Sequence, residues 1–115
     1  MRAGTHGLFY YGGIVFNRST NLGLLKVSTF LDYNNKENGE VAAARDPIRF
    51  EGTVVVDTGT SGQFLDKPWL GVDVPRAGAL SRTFTVDGTS QTVPCGHVYL
   101  AWAKFTGSQS TKIML

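Results

Sequence analysis

The chain has 115 residues, 11 Lys and Arg against 9 Asp and Glu for a net charge of +2, and a single cysteine. That length holds one small domain, residues 1–115, and leaves no room for two. So mild a balance argues against a nucleic-acid or membrane-surface partner, and no apolar run approaches the roughly 18 residues of a spanning helix. One cysteine excludes an internal disulfide, and Cys95 with His6 and His97 falls short of a zinc ligand set, so neither metal nor cofactor is expected. Met1-Arg2-Ala3-Gly4-Thr5-His6 carries no signal-peptide pattern. Apolar residues make up 42% of the chain, material enough for a core; β-branched side chains are frequent, and 14 Gly and 4 Pro supply turns. The expected fold class is all-β.

In chain order, Leu8–Phe16 is an apolar and aromatic run broken by Gly12-Gly13, which predicts a strand with a bulge or a close backbone approach at the glycines. Asn17-Arg18-Ser19 has the form of a glycosylation acceptor. A strand-like segment, Leu24–Asp32, precedes a polar, turn-rich stretch. Glu40–Ala44 has room for one helical turn before Pro47. Ile48–Val56 returns to strand character, and three successive valines predict burial on both faces. Residues 62–80 read as irregular. Thr83–Val86, Asp87-Gly88 and Gln91–Val93 predict a hairpin turning on Asp-Gly. Val98–Phe105 closes the series as an apolar strand, and the tail over Gly107–Lys112 is expected to be mobile.

The chemistry is concentrated in Val54-Val55-Val56-Asp57-Thr58-Gly59-Thr60-Ser61. A carboxylate directly after a valine run is costly unless the strand delivers it to a cleft floor. Gly59 permits a tight turn, and the hydroxyls of Thr58, Thr60 and Ser61 are donors suited to a partly buried anion. The remaining acids, Asp32, Glu37, Glu40, Asp46, Glu51, Asp66, Asp73 and Asp87, lie in polar or turn-like surroundings and read as solvated charges. His6 and His97 read as lone imidazoles and Cys95 as a spectator thiol.

This stretch resembles the active-site signature of the pepsin-like aspartic peptidases, in which aliphatic residues precede Asp-Thr-Gly-Thr/Ser-Ser. Gly7-Leu8-Phe9-Tyr10-Tyr11-Gly12-Gly13-Ile14, Gly23-Leu24-Leu25, Leu80–Gly88, Val93-Pro94 and Val98-Tyr99-Leu100 are similar, in the same order, to segments flanking the signature in that family's C-terminal lobe. The resemblance spans about residues 7–100. It implies an incomplete acid-protease lobe of β-barrel type, core about 7–105, with Asp57 catalytic at the C-terminal end of a central strand. Thr58 would lock onto a partner loop, Gly59 would give an amide to the carboxylate, Thr60 would hold its outer oxygen, and Ser61 would support the loop. A secreted or vacuolar setting is implied as well, with which Asn17 agrees.

That family's chemistry needs two carboxylates sharing one proton across a water, a pairing for which pepsin is the standard example. Here only one Asp-Thr-Gly is present, the flap-bearing lobe is missing, and Phe105-Thr106-Gly107 is a poor substitute for the family's crossing segment. The resemblance thus implies an endopeptidase lobe acting on peptide or protein substrates and needing a second lobe, inactive as a monomer. One alternative is a homodimer of retroviral type, completed by a second copy of the chain, with the Thr83–Val93 hairpin where a flap would follow. Another is a non-catalytic lobe that binds peptide on the same cleft floor. In the lobe reading, apolar side chains of Val54–Val56 and Val98–Phe105 stay under-covered, with Trp102–Phe105 near an exposed edge.

Overall fold

In the computed structural model, which describes residues 1–38, 47–60, 62–86, 88–107 and 110–115, the β-branched and aromatic runs form nine strands. They are β1 (Arg2–Ala3), β2 (Leu8–Asn17), β3 (Leu22–Asp32), β4 (Ile48–Gly59), β5 (Gln63–Val72), β6 (Ser81–Val86), β7 (Thr89–Pro94), β8 (Val98–Thr106) and β9 (Thr111–Met114). The fold is all-β. Every pairing is antiparallel: a four-stranded sheet ordered β1-β2-β3-β4, a three-stranded sheet ordered β5-β8-β9, and the β6-β7 hairpin. None of these sheets closes into a barrel among the described residues.

The core lies where the two larger sheets and the β6-β7 hairpin meet. Leu25, Leu31, Leu65 and Val93 are its fully buried members, with Leu70, Leu100 and Trp102 packed around them. Gly12 faces this core, and a Cβ there would stand at contact distance, 3.4 Å, from the Leu100 side chain. Neither a bulge nor a close backbone approach appears at Gly12-Gly13: the ladder runs through both glycines without a shift, and a Cβ on either would first meet side chains, those of Leu100 and Tyr11. On the far face of the first sheet, Phe9, Phe30 and Phe50 lie directly opposite one another across three strands. Their rings are 5.2 Å and 5.6 Å apart, a cross-strand ladder that helps set the register.

The molecule is a thin plate, 52 × 32 × 16 Å, with a radius of gyration of 17.0 Å against about 13 Å for a compact chain of this length. Its accessible surface of 7530 Å² likewise exceeds the roughly 6,200 Å² typical of this mass. A plate two sheets thick covers its outer strands poorly, and that reverses the expectation for the valine run. Val54, Val55 and Val56 are 66%, 53% and 40% exposed, because β4 is an edge strand rather than a central one. These valines are under-covered, as the lobe reading expects.

Other expectations need correction. Much of 62–80 is the regular strand β5, which finds a full partner in β8; Pro68, which has no N–H to donate, falls at the register shift between Asp66 and Trp69. Thr111 and Lys112, expected in a mobile tail, belong to β9, which pairs with β8. β8 is therefore the middle strand of its sheet, and Trp102 and Ala103 are buried rather than near an edge. The hairpin forms as expected, from Ser81 to Pro94, with Gly88 at φ 79°. The helical turn expected at Glu40–Ala44 lies outside the described residues.

Candidate functional site

Asp57 reaches its surroundings through an irregularity in β4. Leu25 pairs with Asp57 but Lys26 pairs with Val55, so Val56 is an extra residue, a β-bulge. Strict alternation would send Val56 and Asp57 to opposite faces. The bulge lets both face β8: Val56 lines a groove with Trp102, and Asp57 accepts a hydrogen bond from the same indole. β8 answers with Trp102 and Lys104, two residues apart and therefore on one face of their strand.

The carboxylate is enclosed by donors. Lys104 Nζ lies 2.9 Å from Oδ1 and 3.1 Å from Oδ2, Trp102 Nε1 donates to Oδ2 at 3.0 Å, and the Thr58 amide donates to Oδ1 at 2.8 Å. Lys104 also reaches the Thr58 carbonyl at 3.4 Å, so all three of its donors have targets. Both side chains are mostly buried, 17% exposed at Asp57 and 18% at Lys104. Burial works against the Asp57 charge, but the hydrogen bonds from Lys104, Trp102 and Thr58 outweigh it and hold the carboxyl below its ordinary range.

The loop residues separate. Gly59 is buried and needs to be glycine, because a Cβ would stand 2.9 Å from the Gln63 carbonyl. The amide on the carboxylate is that of Thr58, whereas Gly59 sits in the ladder opposite Gly23. Thr58 and Thr60 are exposed, and Ser61 lies outside the described residues. Asn17 is exposed at the end of β2, its Oδ1 accepting from the Ser19 amide and hydroxyl and the Thr20 amide.

A second carboxyl on the same strand, Glu51, is not the solvated charge that its polar surroundings predict. Thr29 pairs with Gly52 and Phe30 with Phe50, leaving Glu51 as a second extra residue. Its Oε1 is buried without a hydrogen-bond partner, as is the Tyr33 hydroxyl. The two groups influence each other's titration, although no hydrogen bond of normal geometry joins them. Burial pushes the Glu51 carboxyl above its ordinary range, against the opposing pull of Arg82. The histidines are not lone either: His6 lies beside Glu37 at 3.8 Å, with its amide donating to that carboxylate, and His97 lies 3.7 Å from Asp73. Cys95 is a free, half-buried thiol 3.6 Å from the Val93 carbonyl. Among the described residues no three His, Cys, Asp or Glu side chains gather as a metal-binding group.

Sequence reasoning missed Lys104 and Trp102. The available signal was their spacing on an apolar strand, where a lysine between Ala103 and Phe105 needs an acid to face. Comparisons with protein-family models, curated proteins and solved structures returned no match.

Proposed function

We propose that the chain is an aspartic-type endopeptidase lobe whose Asp57 supplies one carboxylate to water-mediated peptide hydrolysis and which a second lobe must complete. The observation that carries this reading is a mostly buried carboxylate, held by Lys104, Trp102 and the Thr58 amide, within Asp57-Thr58-Gly59 at the end of a strand with no described strand on one side. Hydrolysis through a water needs one carboxylate as base and a protonated one as acid. Lys104 favours the charged form of Asp57, which fits the base; the partner's carboxyl then carries the proton.

The same geometry accounts for a resting state. A carboxylate offers about four acceptor positions, and Asp57 already receives four hydrogen bonds. A water can be activated only after Lys104 turns away. A second copy of the chain is the alternative source of the missing acid. The saturated carboxylate also favours a second reading, in which Asp57 is a structural anchor and the lobe binds peptide without cleaving it.

Cleavage of fluorogenic peptides at acidic pH, followed against chain concentration, tests these readings. The lobe reading expects no turnover from the monomer. Turnover that rises with the square of concentration, is blocked by a statine-type inhibitor and is lost in Asp57→Asn supports completion by a second copy. Peptide binding with no turnover at any concentration, in the wild type and in Lys104→Met alike, overturns completion by a second copy, and no turnover after mixing with a complementary aspartic-peptidase lobe overturns the lobe reading in favour of the binding one.

A further inference from the structure

The face of β8 that carries Trp102 does not pack fully against the first sheet. Val27, Val54 and Val56 on one side and Val98, Tyr99 and Trp102 on the other border a groove of about 610 Å³. That is the size of a small-molecule site, and much of its wall is apolar surface left facing water: Val54 is 66% and Tyr99 52% exposed. A second space of about 370 Å³ adjoins it, and Tyr10 and Thr29 line both.

The second space differs in chemistry. Ser81 and Arg82 line it with Phe84, and the Arg82 guanidinium lies 5.1 Å from the centre of the Phe84 ring, a stacking contact that orients its donors. Glu51 is an acidic neighbour of Arg82. A ligand that passes over Tyr10 and Thr29, the side chains common to both spaces, meets a cation at Arg82 on one side and apolar walls at Val54, Val56 and Trp102 on the other.

We propose that this groove binds an unbranched long-chain monocarboxylate, its carboxylate on Arg82 and its hydrocarbon tail along Val54, Val56 and Trp102. One cation at one end matches one anionic head. Apolar walls match a tail that asks for no hydrogen bonds, whereas an extended peptide brings an amide pair at every residue. This site is independent of the peptidase reading, since it uses neither the Asp57 carboxylate nor a second lobe.

The test is displacement of cis-parinarate from the full chain by saturated monocarboxylates of increasing length and by their methyl esters. Affinity for the acids is expected to rise roughly fourfold per added methylene until the groove is filled. Arg82→Gln should weaken acid binding about tenfold and leave ester binding unchanged, and Arg82→Lys should recover part of the loss. Val98→Trp, which fills the groove, should abolish binding of both. Equal loss of acid and ester in Arg82→Gln, absence of a chain-length dependence, tighter binding of an apolar peptide than of any acid, or a dimer by sedimentation whose probe binding vanishes on association would each overturn the proposal.

Discussion

Asp57 and Glu51 lie on one strand, each beside a break in register, yet they arrive in opposite electrostatic states. At the first break the opposite strand supplies Lys104 and Trp102, and the carboxylate is saturated with donors. At the second, Glu51 Oε1 is buried beside the Tyr33 hydroxyl without a hydrogen bond of normal geometry, and the Arg82 charge does not offset the burial. A bulge only re-aims a side chain; what that side chain becomes chemically is decided by the strand across from it. The two acids are also not candidates for one dyad. Six positions at about 3.3 Å each place them on the order of 20 Å apart, beyond the reach of a shared proton.

The sharpest way to break this contrast is Lys104→Met. If the pair is the main support of the Asp57 charge, unfolding in urea should show a loss of about 2–3 kcal/mol, because an ionised carboxylate is left mostly buried without its cation. Asp57→Asn in the same background should recover part of that loss. Strictly additive single and double variants would mean that the two groups do not support each other.

Next in size is the acid dependence. A carboxyl whose folded pKa is depressed stabilises the fold above its unfolded value, and that contribution is lost as pH falls through the lower folded value. The wild type should therefore lose stability below about 3.8, the ordinary value for this group, and Asp57→Asn should flatten that part of the profile. Trp102→Phe keeps most of the packing but removes one donor to a charged acceptor; a loss of about 1 kcal/mol and a small rise in the Asp57 pKa, read by NMR titration, are expected.

Glu51→Gln should have the smallest effect, and its sign is opposite. A carboxyl with a raised folded pKa contributes stability below its unfolded value, near 4.5, and loses it as pH rises through the higher folded value. The variant should thus be within about 1 kcal/mol of the wild type at neutral pH, on the stable side, and should lack the wild type's decline in that window. A neutral-pH loss comparable to that of Lys104→Met would show that Glu51 is as well supported as Asp57.

The strands at Leu8–Asn17, Leu22–Asp32, Ile48–Gly59 and Val98–Thr106, and the Ser81–Pro94 hairpin, could be read from the chain because each repeats a local pattern: β-branched and aromatic runs ended by turn residues. β5 could not, because Pro68 and Gly71 signal a break locally and only pairing with β8 overrides it. The valine run misled for a related reason. Three apolar residues in succession indicate two covered faces, but coverage belongs to the neighbours, and β4 has β3 on one side and no described strand on the other.

What the amino-acid order alone determined is the all-β class, a strand that ends in Asp57-Thr58-Gly59, and a hairpin turning at Gly88. These follow from backbone preference and side-chain volume, which act over a few residues. The thin two-sheet arrangement, the bulges at Val56 and Glu51, and the meeting of Asp57 with a lysine 47 residues away were decided by tertiary structure. Register and long-range ion pairs depend on which strands come to lie side by side. That choice is settled by the total burial and hydrogen bonding of whole sheets, and no short segment carries it.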